Sequence, residues 1–162
     1  MVLIKIIKTI PFLVTSQMCQ NGGVSRTSGI FTTGLIGNYY NVAKQQGVAP
    51  TVIPSDSNIQ RIDSTISFSW GTASPIQGIT QDNFVVVWNG VLRAAQTGRY
   101  NLYFTADDGI RVYLAGEIIV DSWLIQNAQT IEVSNLLLDS TINYSFQVEY
   151  FEQNGVSQVL AQ

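Results

Sequence analysis

The chain has 162 residues, which is enough for one domain with a substantial core. Hydrophobic residues make up 46% of the chain and charged residues 12%. The net charge of −3 gives no basic surface of the kind that binds nucleic acid. With no histidine and only one cysteine, Cys19, the sequence excludes an internal disulfide, zinc ligation by His and Cys, and Ser-His or Cys-His catalysis.

Residues 1–14 are apolar and rich in β-branched side chains, which predicts a strand-like arm that is broken near Pro11. A secretory signal is the alternative, but Lys5 and Lys8 lie inside the segment and no small-residue cleavage site follows it. The segment is shorter than the roughly 20 apolar residues that a membrane span needs. Residues 15–33 are rich in Ser, Thr, Gly and Gln and are interpreted as a linker, so the domain is expected to begin at residue 34.

From residue 34 onward, short runs of alternating apolar and polar residues are separated by turn signals. The predicted strands are 34–40, 67–70 with a lead-in from Ile59, 82–88, 91–95, 99–105, 110–114, 117–121, 131–138, 141–151 and 156–161. Residues 41–58 are expected to form a long polar connection, and Asn89-Gly90 predicts a hairpin turn. No helix longer than a turn or two is indicated. Roughly ten short strands predict an all-β fold, either a sandwich or a barrel.

An acidic turn, Asp107-Asp108-Gly109, separates two of the predicted strands. Adjacent carboxylates repel each other, and their pKa values rise unless something compensates the charge. Calcium is one compensator, because it takes several oxygen ligands. The same triplet is also ordinary turn chemistry, in which aspartate caps backbone amides, glycine takes a positive φ, and Arg111 is near enough to pair with one carboxylate. Both interpretations stay open at this point.

Several short motifs occur together in a fixed order from residue 34 to the end of the chain. They are Gly34–Tyr40, Phe68–Trp70, Asp82–Phe84 with Val86 and Trp88, Asn89-Gly90, Thr97–Tyr100, Asp107–Val112, Asp121 with Trp123, and Tyr144 with Val148–Tyr150. In this order they make residues 34–162 resemble the protective-antigen-type (PA-fourteen) domain family. The resemblance implies an antiparallel β-sandwich, found in adhesins, glycosidases and other secreted proteins. Family members usually continue the last strand into a tryptophan, so either this domain ends early or the chain is a piece of a longer protein.

The resemblance also implies a function for the acidic turn. In the flocculin-type adhesins of this family, paired aspartates at this position hold a calcium ion, which in turn binds sugar hydroxyls. Carried over by position, Asp107 and Asp108 would be metal ligands, and Asn127 in a following loop is a further candidate oxygen ligand. Trp123 either stacks on a sugar ring or packs against the end of the sandwich, whereas Trp70 and Trp88 are expected in the core.

These points predict a non-catalytic carbohydrate-binding or adhesion module of an extracellular or surface-associated protein. Glycosidases need two carboxylates set apart across a cleft, and Asp107 and Asp108 are adjacent. Glu149 and Glu152 are interpreted as strand-face residues. The alternative is a structural subunit of a surface fibre, a virion or a large secreted complex, in which residues 1–14 add strands to a neighbour's sheet. A third interpretation is an accessory domain of a secreted hydrolase.

Overall fold

A computed structural model describes residues 34–44 and 47–162, so the predicted arm and linker at residues 1–33 lie outside the described residues. Ten β-strands form the described part. They are β1 (Leu35–Asn41), β2 (Ile59–Asp63), β3 (Ser67–Gly71), β4 (Phe84–Leu92), β5 (Gly98–Asp107), β6 (Gly109–Leu114), β7 (Glu117–Ser122), β8 (Gln129–Leu138), β9 (Tyr144–Glu152) and β10 (Ser157–Ala161). Within these ranges no helix is long and apolar enough to cross a bilayer.

The strands form two antiparallel sheets that pack face to face. The six-stranded sheet has the order β2-β1-β4-β9-β6-β7, and the four-stranded sheet has the order β3-β10-β5-β8. Every pairing between neighbours is antiparallel. The predicted all-β sandwich is therefore confirmed, and β10 pairs with a neighbour on each side.

The main core lies between the two sheets, where the alternating apolar residues of both sheets meet. Trp88 is fully buried there, and Trp70 packs against the same cluster, as predicted for both tryptophans. The Phe68 ring lies parallel to both indoles, with ring centroids 4.8 Å from Trp70 and 5.8 Å from Trp88. These aromatic contacts tie the β3 edge of one sheet to the centre of the other.

A second apolar cluster lies on the outer face of the six-stranded sheet. All five residues from Phe84 to Trp88 are buried, which means that β4 is covered on both faces. Val85, Val87 and Phe151 point outward, and the connection between β1 and β2 packs on them through side chains that include Ile53. The long polar connection expected at 41–58 therefore serves as a cover over part of the sheet.

Two sequence predictions fail within the six-stranded sheet. The hairpin predicted at Asn89-Gly90 is wrong, because β4 runs through both residues to Leu92. Asn89 is paired on both sides, with Ile36 and Gln147, and this long-range pairing overrides the local turn signal. A Cβ on Gly90 would lie 2.3 Å from Leu35 Cδ2, so the glycine is required by close packing. Residues 59–63, interpreted as a lead-in to the strand at 67–70, form a separate strand of the six-stranded sheet, β2, whereas β3 lies in the four-stranded sheet.

A buried carboxylate joins three strands of the six-stranded sheet. Asp63 is 5% exposed, and its Oδ2 accepts hydrogen bonds from the Tyr39 hydroxyl and from Trp88 Nε1, each at 2.7 Å. Its Oδ1 accepts a hydrogen bond from Arg61 Nε at 2.5 Å. A Cβ on Gly37 would lie 2.5 Å from Asp63 Oδ2, so only glycine fits beneath this network. The carboxylate is fully paired, which is the condition under which a buried charge is tolerated.

We expect Asp63→Ala to lower the free energy of unfolding by about 2–4 kcal/mol, because it leaves the buried tyrosine and tryptophan donors without an acceptor. Asp56→Ala is the matched control, since Asp56 is exposed and its loss should change stability by less than about 0.5 kcal/mol. Urea denaturation of both variants measures the difference. Equal stabilities would contradict the role assigned to Asp63.

Candidate functional site

The acidic turn carries the chain from one sheet to the other. β5 ends at Asp107 in the four-stranded sheet and β6 begins at Gly109 in the six-stranded sheet, so Asp108 is the only linking residue. The peptide bond between Asp107 and Asp108 is cis. Gly109 does not have the positive φ expected of a turn glycine; a Cβ there would lie 2.1 Å from Phe151 Cε1. The glycine is needed because the Phe151 ring packs directly on its backbone.

The Asp108 carboxylate is buried and holds two loops. Its Oδ1 accepts the backbone N–H of Gln126 at 3.0 Å, and its Oδ2 accepts the backbone N–H of Gln153 at 2.9 Å. Gln126 Nε2 in turn donates to the Asp108 carbonyl at 3.2 Å. The predicted capping of backbone amides is present, but the amides belong to loops that are distant in the sequence. Asp108 therefore fixes the loop at 123–128 and the turn after β9 around one point.

Asp107 stands beside Asp108 and is partly exposed. Burial raises the pKa of its carboxyl, the charge of Asp108 raises it further, and a hydrogen bond from the backbone N–H of Ala128 lowers it. Burial also raises the pKa of Asp108, and the two backbone hydrogen bonds that it accepts lower the pKa by less. The expected pairing of Arg111 with this turn is wrong, since Arg111 Nε donates to Asp121 Oδ1 at 2.9 Å instead. Among the described residues, no positively charged side chain lies within 4 Å of either the Asp107 or the Asp108 carboxylate.

A third acidic residue lies beneath this pair. Glu152, interpreted from the sequence as a strand-face residue, is fully buried between the sheets. The Tyr150 hydroxyl contacts the Asp107 carbonyl and lies 3.2 Å from Glu152 Oε2. Glu152 Oε1 has no hydrogen-bond partner in the described structure. Burial, followed by the charge of Asp108, raises the pKa of Glu152 to about 8.

The alternation of β9 could have revealed Glu152. It lies two residues after Tyr150, on the inward face that also carries Phe146 and Val148. The tyrosine has one hydroxyl proton, so a neutral Glu152 can donate its own proton to the tyrosine oxygen. A proton on Glu152 Oε2 would therefore make its contact with Tyr150 a hydrogen bond, while Glu152 Oε1 stays without a partner in the described structure.

The two loop residues singled out from the sequence lie in different surroundings. Asn127 is exposed and sits between Gln126 and Ala128, whose backbone amides bind the two aspartates. Trp123 packs on the outer face of the six-stranded sheet, with its ring centroid 4.7 Å from that of Phe151. Its Nε1 donates to the Pro50 carbonyl at 2.8 Å. Trp123 thus holds the connection between β1 and β2 in place. Of the two loop residues, Asn127 lies beside the acidic pair.

The donor atoms at this end of the sandwich are carboxylate, amide and carbonyl oxygens. Among residues 34–44 and 47–162, no three histidine, cysteine or acidic side chains are grouped closely enough to hold a metal ion by themselves. Calcium, however, accepts backbone carbonyls, amide oxygens and water alongside carboxylates. Each Asp108 oxygen that accepts one N–H keeps a second lone pair. The site therefore fits a hard cation held by two carboxylates and neutral oxygens, and it does not fit a zinc-type centre.

Replacing Asp108 with Asn should loosen one of the two loops, because the amide oxygen of Asn can replace only one of the two carboxylate oxygens that accept the backbone hydrogen bonds. We expect a loss of about 1–3 kcal/mol in the free energy of unfolding and faster hydrogen exchange at Gln126 or Gln153. Asp107→Asn is the control, since it leaves both Asp108 hydrogen bonds intact. If exchange at the two amides is the same in both variants, the role of Asp108 as the loop anchor is wrong.

Glu152 should make stability depend on pH in the absence of calcium. Its pKa of about 8 in the fold lies above its ordinary value of 4.5, so the folded state binds a proton that the unfolded state releases. Stability should therefore fall as pH rises through that window, by up to about 1.4 kcal/mol per pH unit from this group.

Denaturation in a chelator from about pH 5 to about pH 8 tests this expectation. Glu152→Gln should reduce the slope and raise stability at the alkaline end. Glu117→Gln is the control, because Glu117 is exposed and its replacement should not change how stability depends on pH. An unchanged slope in Glu152→Gln would show that Glu152 does not hold the extra proton.

The chain is similar to one curated protein and to solved structures of the same fold. It is 31% identical over 120 residues to the anti-sigma-I factor RsgI3 of Acetivibrio thermocellus, covering 74% of this chain and 17% of that protein. An anti-sigma factor domain-containing protein of known structure superposes with a TM-score of 0.69 at 28% identity, over 80% of this chain and 41% of that one. The chain thus spans a minor part of each of these relatives.

A PA14 sugar-binding domain from an RTX adhesin has the same fold, with a TM-score of 0.64 at 19% identity, over 80% of this chain and 88% of that domain. The model of the PA14 domain family matches residues 32–161, which include all ten strands and the acidic turn. Together with the sandwich topology, this match shows that the chain belongs to the PA14 domain family.

Proposed function

We propose that the chain is a non-catalytic carbohydrate-binding module in which Asp107 and Asp108 hold a calcium ion that binds sugar hydroxyls. The observation that carries this proposal is the adjacent pair itself. Two carboxylates are fixed side by side where the loops converge, the pKa of each is raised, and one of them is partly exposed. A divalent cation would compensate this charge and present open coordination positions to a ligand. Asn127 is the candidate for a further oxygen ligand.

The arrangement of acidic residues argues against hydrolysis at this site. Glycosidic bond cleavage needs two carboxyl groups on opposite sides of the bond, about 5 Å or more apart. Asp107 and Asp108 are neighbours, and Asp108 uses both of its oxygens to hold loops. Glu152 is enclosed between the sheets and cannot reach a substrate. Binding is the chemistry that these residues support.

The relatives support a module that serves a larger protein. Sequences similar to this one make up 17% of an anti-sigma-I factor and 41% of an anti-sigma factor domain-containing chain. A domain of the same fold in an adhesin is described as sugar-binding. We therefore propose that this module binds a glycan outside the cell on behalf of the protein that carries it. Assembly through residues 1–14 stays a prediction about residues outside the described part.

Asp107→Asn tests the calcium-dependent site without removing the loop anchor Asp108. Glycan arrays identify the sugar, and calorimetry then measures its affinity with calcium and with a chelator. We expect both chelation and Asp107→Asn to weaken binding at least about tenfold, or ~1.4 kcal/mol, because each removes a calcium contact.

Glu117→Gln is the matched control for this experiment. Glu117 is exposed and begins β7 at the far end of the β6–β7 hairpin, so its loss should not change the affinity. If no glycan shows an affinity that chelation and Asp107→Asn both lower, the calcium-dependent site is wrong. Absence of binding to any glycan would overturn the proposed function as a whole.

A further inference from the structure

The outer face of the six-stranded sheet has a covered half and an open half. The connection between β1 and β2 covers the half around Val85, Val87 and Phe151. Farther along the same strands, polar residues lie on the outward face beside Val91 of β4. Asn89 pairs with Gln147, and Gln147 pairs with Tyr113, so these residues form a row across β4, β9 and β6. With strands about 4.8 Å apart, the row spans about 10 Å of open sheet.

A cavity of about 390 Å³ lies over this row. Five of its lining residues have side chains that can form hydrogen bonds: Asn89, Tyr113, Ser145, Gln147 and Glu149. Gly90, Gly116 and Phe146 complete the lining. The volume lies in the range of small-molecule binding sites, about 300–1,000 Å³. A depression of this size on an otherwise flat sheet can hold part of a ligand against the polar row.

The lining is oriented by contacts within the sheet. Gln147 Nε2 donates to Glu149 Oε1 at 2.8 Å, and Glu149 Oε2 lies 3.9 Å from Arg111 Nη1. The side-chain oxygen of Gln147, the side-chain amide of Asn89 and the Ser145 hydroxyl make no hydrogen bond to other described residues. Amides and a hydroxyl around a tyrosine ring complement the hydroxyl groups and apolar faces of a sugar.

The charges around the cavity favour a neutral ligand. Arg111 is already engaged by Asp121 at 2.9 Å and by Glu149, and its guanidinium lies over the Trp123 ring. The lining contains no lysine or arginine to bind a phosphate, sulfate or uronate. An acidic polysaccharide would also meet the carboxylate of Glu149. A neutral oligosaccharide meets neither difficulty.

We propose that this open half of the sheet is a second saccharide-binding groove, which binds neutral oligosaccharides without calcium. It goes beyond the proposed function, since it uses none of the residues of the acidic site. Tyr113 lies four residues along β6 from Gly109, or about 13 Å. The polar row therefore lies apart from Asp107 and Asp108. The groove would give the domain a second point of contact with a polysaccharide chain.

Amide NMR spectra of the full chain labelled with ¹⁵N test the groove directly, because Asn89 and Gln147 carry side-chain NH₂ signals. The probes are cellotetraose, xylotetraose and mannotetraose, each added to millimolar concentration in a chelator. At least one should shift the Asn89 and Gln147 side-chain signals together with the Gly116 backbone amide. Asn89→Ala should weaken that binding at least about fivefold, the effect of losing one hydrogen bond.

Two control variants separate this site from the calcium site. Asp107→Asn should leave the groove shifts unchanged, and so should Gln129→Ala, an exposed amide residue on the four-stranded sheet. No groove shift with any of the three probes in the wild-type chain would overturn the proposal. Groove shifts that vanish in Asp107→Asn would overturn its independence from the acidic site. Absence of any calcium-dependent glycan binding in the wild-type chain, with the groove shifts present, would refute only the proposed function.

Discussion

The domain changes sheets at a single residue, and its candidate site is a consequence of that constraint. Asp108 lies between a strand of the four-stranded sheet and a strand of the six-stranded sheet, with no other residue to span them. Its buried carboxylate binds the backbone of two further connections, so three segments that are distant in sequence meet at one carboxyl group. The position of Asp107 follows from this arrangement, because the adjacent Asp108 is held by two backbone hydrogen bonds.

Holding acids at this point has an electrostatic cost that the protein meets in two ways. Beneath the pair, burial raises the pKa of Glu152 to about 8, which disfavours a third negative charge between the sheets. At the surface, backbone amides from the loop at 123–128 face both carboxylates. Neither device places a positive charge beside Asp107, and among the described residues no ion pair within 4 Å involves either aspartate.

The alternation of apolar residues predicted most strands and the sandwich. A strand that buries one face in the core has an apolar residue at every second position, and this pattern can be recognised in the sequence. Local signals were less reliable. Asn89-Gly90 has the composition of a hairpin turn, yet pairing on both sides keeps it within β4. The acidic pair could be found from sequence, whereas its loop partners could not, since Gln126 and Gln153 contribute backbone groups that any residue has.

The two-sided burial of β4 has a consequence for the chain before it folds. Phe84-Val85-Val86-Val87-Trp88 is an uncharged, β-branched and aromatic run without proline or glycine, which is the composition of aggregation-prone segments. In the native domain, strands pair with both of its edges and the preceding connection covers its outer face. During synthesis that connection, with Pro50 and Pro54, emerges first and is already available when the apolar run appears. The connection that covers the folded sheet can therefore also shield the aggregation-prone strand β4 from other chains before the domain is complete.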